Sequence, residues 1–501
     1  MMTTHQHTIR HAILAGLVMA LAAPTMARAQ GGSAAPGPIS LSDALRLAEQ
    51  RSQVLKIAEA GLSRARGQRY QARAQLMPQL NGTAAYQRTL ESQFQAISKK
   101  AGSSSSGGSP SDTASSSSDL TNSPIAKIFA APNTVILGLN FSQNLFTAGK
   151  LTAANKGADA AERVAMAGVQ SARAQLTLDV AQAYYNAVAA DRMAAIADST
   201  LAQAERSLNQ TMLAKQVGTS AEFDVLRARV TRDNARPAAI QAHSNRDIAY
   251  LRLRQLLGLS LNGPMTLTSS VRDDLTADQA MAQTASTVLM GPVALPRDNT
   301  SATPDTTVAH RVAVRQAADN VEAQKFALKA ARWERLPSVQ LTSTYQRFGY
   351  PPDGTFLPNS FGLFYPNWTA TMGFSFPVIA SGRIKGDRMV AQANYIDAQQ
   401  RLSQAREAAE LDARVAINQY EQAQAAYAAS VGTDEQAAKA YQIAEVRFKE
   451  GISTLLELDQ SRTQLQQARM NRVVTARDFE LARLRLALLR DLPLASGGGA
   501  R

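Results

Sequence analysis

Side chains able to do chemistry are scarce in this sequence, and their spacing points away from catalysis. Cysteine is absent, which removes thiolate nucleophiles, thiolate metal sites and disulfides. Three of the five histidines, His5, His7 and His11, fall in an N-terminal export signal, leaving His243 and His310 for the mature chain. Two imidazoles give little material for acid–base work or metal binding. The sequence holds no nucleophile elbow, phosphate loop or metal-ligand spacing, and its densest serines lie in a Gly/Ser tract that cannot hold a triad. Asp and Glu pairs recur at helical spacing, as on a solvated helix face. Neither an enzyme nor a metal or organic cofactor is expected.

The compartment is read from the first thirty residues. Arg10, flanked by His7 and His11, precedes the apolar run 12–23 and then Ala27, Arg28 and Ala29, a secretory signal with cleavage between Ala29 and Gln30. The run is shorter than the roughly 20 residues that span a bilayer as a helix. A mature N-terminus without cysteine also rules against a lipoprotein. The formal charge of +13 would suit a nucleic acid, but Lys and Arg are spread among Glu, Asp and Gln, as on a charge-laced helix surface. No nucleic-acid partner is expected. No later stretch reads as a transmembrane helix, so membrane insertion would need strands with alternating apolar residues.

Such strands are present. In 368–376, Trp368, Ala370, Met372, Phe374 and Phe376 face one way and Thr369, Thr371, Gly373 and Ser375 the other; Val135, Leu137, Leu139 and Phe141 repeat the pattern. Export, together with Tyr365 and Trp368 at the strand ends, favours a barrel meeting outer-membrane lipid through Leu137, Leu139, Phe141, Trp368, Met372, Phe374 and Phe376. Segments 79–91 and 338–349 alternate more weakly and are assigned as strands from an internal duplication.

That duplication organises the chain. MPQLNGTAAYQR (77–88) matches LPSVQLTSTYQR (336–347) at an offset of 259 residues, pairing Tyr86-Gln87-Arg88 with Tyr345-Gln346-Arg347. The segments 137–150 and 372–385 pair Gly149 with Gly382, and 215–226 and 448–459 pair Gly218 with Gly451, both at an offset of 233. Each intervening segment lacks proline, and the first carries a seam of Val169, Leu176, Ala183, Ala190, Ala197 and Ala204, joined by Val180, Ala187, Ala194, Leu201 and Leu208. A helix of that length extends on the order of 100 Å. After Gly451 the seam continues through Leu458, Leu465, Ala468, Thr475, Phe479 and Leu489, with Arg472 its one poorly apolar step. The chain therefore divides into a signal (1–29), a linker (30–38), a first unit (39–257), a Gly/Pro-rich linker (258–307), a second unit (308–493) and a tail (494–501). The strand-joining loops differ: a Gly/Ser tract at 102–118, expected to be disordered, and a Pro/aromatic loop at 350–367. The fold class is mainly α with a β-barrel portion. Four strands per chain cannot close a barrel in lipid, so several protomers must share one.

The order helix, strand, strand, long helix, glycine turn, return helix, repeated after a signal, resembles the TolC-like outer-membrane efflux family from about Ile39 to Pro493. The turns VGTSAEFDVL and EGISTLLELD are similar to its two periplasmic tips, and LLGLSL (256–261) to the end of its first repeat. The resemblance implies a homotrimer with a twelve-stranded barrel in the outer membrane and a twelve-helix periplasmic tunnel. It also implies a periplasmic adaptor and an inner-membrane pump of RND or ABC type as partners, with passive conduction gated by untwisting of the tips. It places adaptor docking at Val217, Gly218, Thr219, Gly451, Ile452 and Ser453, and a constriction at Asp224, Glu457 and Phe448. Asp224 and Glu457 each lie six residues past a tip glycine; inward-facing, they would form a cation-favouring ring, whereas starting a return helix they would complement its dipole. Ser453 stands where a basic residue is found in the family, and Lys215, Arg447 or Lys449 could replace it. Small-molecule efflux is the leading expectation; a type I secretion duct and a metal-efflux channel share the fold. A periplasmic coiled-coil scaffold or adaptor is the rival of a different class.

Overall fold

Ser40 caps the first helix and Ser52 the second, each hydroxyl accepting from a backbone N–H three residues on, so the expected single leading helix is divided into α1 (Leu41–Arg51) and α2 (Gln53–Ala74). The computed structural model describes residues 38–90, 133–263, 265–268, 307–351 and 364–494. The signal with Ala29 and Gln30, the Gly/Ser tract and the tail beyond 494 lie outside them. After α2 come β1 (Gln79–Arg88), β2 (Asn133–Phe146), α3 (Lys150–Gln216) and α4 (Glu222–Leu257), then α5 (Val312–Arg332), β3 (Ser338–Gly349), β4 (Phe364–Ser375), α6 (Arg383–Lys449) and α7 (Leu455–Leu488). The two long helices are each 67 residues, about 100 Å.

The helices form a wall one layer thick. Near the strands, α3 packs between α2 and α5, and α5 between α3 and α6; near the tips, α3 packs between α4 and α7, and α7 between α3 and α6. The wall is thus four columns in the order α2 above α4, α3, α5 above α7, and α6. Alanines at 153, 160, 174, 181, 187, 194 and 204 are buried along α3, which allows the close approach such a wall needs. The largest apolar cluster lies at mid-height, where Leu45 and Leu55 meet Leu176, Val180 and Tyr184 of α3 and Leu253 and Leu257 of α4. Met265 joins this cluster, and residues around Leu267 bond to both sides of Ile39. The start of the expected linker 258–307 is therefore part of the wall.

The strands form one antiparallel sheet in the order β1-β2-β3-β4, continuing the columns. The register puts Leu139 opposite both Gly82 and Tyr345, and Tyr345 opposite Trp368. Directly opposed residues share a face, so the apolar sets of all four strands lie on one side. The other side carries rows such as Asn81, Asn140, Thr344 and Thr369. Trp368, Met372, Phe374 and Leu139 are exposed, while Leu137 and Phe141 are half-buried. Two expectations change. β4 begins at Phe364 within the expected loop and ends at Ser375, so Phe376 lies one residue beyond it. Tyr365 pairs with Phe348 and points to the polar side, and Trp368 sits inside the strand.

Candidate functional site

Both tips are built by the same local chemistry. Gly218 and Gly451 adopt φ of +79° and +73°. Gly218 N–H bonds to Lys215 O and Thr219 N–H to Ala214 O; Gly451 N–H bonds to Phe448 O and Ile452 N–H to Arg447 O. These are paired Schellman closures, which satisfy the last carbonyls and require a left-handed residue. Val217 and Ile452 are left 68% and 69% exposed at the two apices.

Asp224 and Glu457 both occupy the third position of their return helices. Thr454 Oγ1 accepts from Glu457 N–H at 3.3 Å, an N-cap bond, while Ser220 donates to Asp224 at 3.3 Å. Both carboxylates therefore sit at a positive helix end. Glu457 is also 3.4 Å from Arg447. Lys215 pairs with Glu222 and Lys449 with Glu445, so the basic residues expected to tie one tip to the other pair within their own hairpins.

The tips are joined elsewhere. A cleft of about 720 Å³ between the hairpins is lined by Thr219, Asp224, Phe448, Gly451 and Ser453 among others; Glu457 is not among its lining residues. Behind it, Leu208, Val225, Ala228, Ala444, Leu455 and Leu458 form a four-helix cluster against which Tyr441 and Phe448 pack. Phe448 is thus a packing residue that also borders the cleft, and burial raises the Tyr441 hydroxyl above its ordinary value. Arg227 of α4 lies 3.9 Å from Asp459 of α7, Thr231 donates to the same carboxylate, and Arg462 holds its other oxygen at 3.0 Å. Sequence reasoning missed this inter-hairpin network. Its one signal is Arg462, a charge beside the seam positions Leu458 and Leu465, which is nearly buried.

Further up, the weak seam step at Arg472 is a polar layer. Arg472 donates to Asp434 of α6 at 2.8 Å and Thr475 to Ser430 at 2.8 Å, beneath a stacked Tyr427–Phe479 pair. Of the two candidate histidines, His243 bonds Asp198 across α3 and α4 at 2.9 Å, and His310 lies in the turn before α5. Among the described residues, no cluster of His, Asp and Glu could hold a metal.

The family model for outer membrane efflux proteins matches residues 44–259 and 303–489. Among curated proteins, the toluene efflux pump outer membrane protein TtgF of Pseudomonas putida is 28% identical over 251 residues. The probable efflux pump outer membrane protein SepC, from another strain of Pseudomonas putida, aligns equally well. Each alignment spans 50% of this chain and 46% of the relative, so about half the length of these relatives is matched. Among solved structures, the CmeC outer membrane channel of Campylobacter jejuni superposes with a TM-score of 0.67 at 17% identity, covering 91% of this chain and 87% of that one. The open-state MtrE outer membrane channel of Neisseria gonorrhoeae gives 0.66 at 19% identity, covering 91% and 90%. These likenesses establish the fold. With the family model running through both structural units, the chain belongs to the outer membrane efflux protein family, a family of channels rather than enzymes.

Proposed function

We propose that this chain is the outer-membrane subunit of a tripartite efflux system. In this reading it works as a homotrimer that passively conducts small molecules delivered by an inner-membrane pump of RND or ABC type through a periplasmic adaptor. The observation that carries the reading is the unfinished wall. Among the described residues β1 and β4 each have only one strand partner, and the outer columns expose apolar residues at coiled-coil spacing: Phe223, Leu226 and Val230 on α4, Ile443 and Val446 on α6. A sheet with open edges cannot sit in lipid. Three copies supply the twelve strands of a closed barrel, its apolar side to lipid and its Asn, Thr and Gln rows to the lumen. The relative named for toluene efflux favours small molecules as cargo.

Exposed Val217, Gly218, Thr219, Gly451 and Ile452, with Ser453 beside them, are the adaptor-docking apices. Asp224 borders the cleft between hairpins, so three copies would line the narrow end, with Phe448 as packing support. Glu457, already paired with Arg447, contributes less. The test is single-channel conductance of purified protein in planar bilayers. Cation selectivity should fall in Asp224→Ala and change less in Glu457→Ala. Folded protein that never inserts would sink the channel reading and favour a periplasmic scaffold.

A further inference from the structure

The four strands contain two charged residues, Arg88 and Arg347, and both are the third residue of the duplicated Tyr-Gln-Arg motif. The alternation of a strand puts Tyr and Arg of each motif on one face. The register identifies that face. Arg347 is opposite Leu137 and Pro366, Tyr345 is opposite Leu139 and Trp368, and Tyr86 is opposite Val135. The only two cations of the four described strands therefore stand on the apolar side of the sheet. Both lie at the end remote from the helices: Arg88 is the last residue of β1 and Arg347 is two residues from the end of β3.

A guanidinium on a lipid-facing strand is expensive at mid-bilayer and inexpensive at the border, where its stem can lie along apolar neighbours while its head reaches the polar layer. Here the border is furnished with aromatics. Tyr345 Oη accepts from Arg347 Nε at 2.9 Å, Tyr86 Oη donates to Asn133 at 2.8 Å, and Trp368 is 75% exposed opposite Tyr345. These contacts hold the rings at the height of the arginines. A fixed cation above an apolar band, beside phenol and indole, matches a lipid whose acyl chains lie on the band and whose phosphate meets the guanidinium fork.

We propose that the two Tyr-Gln-Arg motifs are binding sites for the phosphate groups of lipid A in the outer leaflet, two per chain. The end of the sheet away from the periplasmic helices commits the site to that leaflet. The proposal rests on the reading of the apolar sheet side as lipid-facing. Because the motif recurs at equivalent positions of the two units, a trimer carries an evenly repeated collar of sites rather than one chance basic spot.

The experiment is native mass spectrometry of the purified full-length trimer titrated with bisphosphorylated lipid A, dephosphorylated lipid A or phosphatidylglycerol. Wild type, Arg88→Gln with Arg347→Gln, and Arg88→Lys with Arg347→Lys are compared, each first shown to be a folded trimer. The expected result is preferential retention of bisphosphorylated lipid A, weakened about fivefold per arginine removed and less by the lysine pair. Equal retention by the glutamine pair, or equal binding of dephosphorylated lipid A or phosphatidylglycerol by wild type, overturns the proposal. Bilayer insertion of wild type separates the two levels. Insertion with indifferent lipid binding defeats only the lipid site, whereas failure to insert defeats the membrane reading and this proposal with it.

Discussion

Glu162 of α3 is nearly buried and receives Arg69 Nη1 at 2.7 Å and Arg66 Nε at 3.2 Å, both from α2, while Asp159 holds Arg69 Nε at 2.6 Å. The hydrogen bond from Arg69 leads the effects that hold its carboxyl below the ordinary 4.5. A depressed carboxylate contributes stability that is complete above its unfolded value and is lost as pH falls through its folded one. Glu162→Gln should therefore lower the melting temperature of the protein near pH 7, and the gap to wild type should close near pH 3. A constant gap across that range would mean the pair contributes no linked stability. Arg311 and Asp412 behave as a second buried anchor. Arg311 is fully buried, with Nη2 at 2.7 Å from Asp412, whose other oxygen accepts from Arg485 of α7 at 3.0 Å. None of these partners is close in sequence. The sequence shows the charges but not that each has a mate on another helix.

Each strand enters its long helix through two successive left-handed residues, Ala148 and Gly149 in one unit and Ser381 and Gly382 in the other. The glycines were legible from the duplication; the strained Ala148 and Ser381 before them were not, because nothing in their type calls for positive φ. The two bends differ in surroundings. A Cβ at Gly149 would lie 2.7 Å from the Trp333 ring, whereas one at Gly382 would meet open space. Gly382→Ala should cost roughly 1–2 kcal/mol from backbone strain alone, and Gly149→Ala distinctly more. Paired thermal melts of the two variants provide the check, and equal losses would show that the tryptophan yields. Past both bends, Lys150 and Arg383 converge on Glu334, which ties α3 and α6 to the end of α5.

At the scale of the whole molecule, the proposed ring can be tested through the outer columns. Phe223 and Leu226 lie five and eight residues beyond Gly218, and Val446 and Ile443 lie five and eight residues before Gly451, all exposed on opposite outer columns. In the ring proposed above they would meet across the subunit boundary at matching heights. The chain has no cysteine, so Leu226→Cys with Ile443→Cys gives an unambiguous cross-link. Oxidation in membranes should convert the protein to covalent trimers on reducing-sensitive gels, with neither single variant doing so. A ladder running past three copies, or monomer alone, would contradict the ring.

Whatever is periodic or repeated in this protein was already written along the chain. Strand alternation, the alanine-rich seam, the tip glycines and the duplication all depend on spacing, which fixes the face of an element and the length of a helix. Spacing says nothing of what lies across from each face. The pairing of Arg472 with Asp434 and the tie from Arg227 through Asp459 to Arg462 were settled only in three dimensions. A polar group can enter a packed wall only when a partner on a neighbouring column satisfies it, and the order of residues within one helix carries no record of that partner. The register was decided the same way: only pairing across β1 to β4 brings four alternating patterns onto one side, and with them the two arginines that the strand composition alone left unexplained.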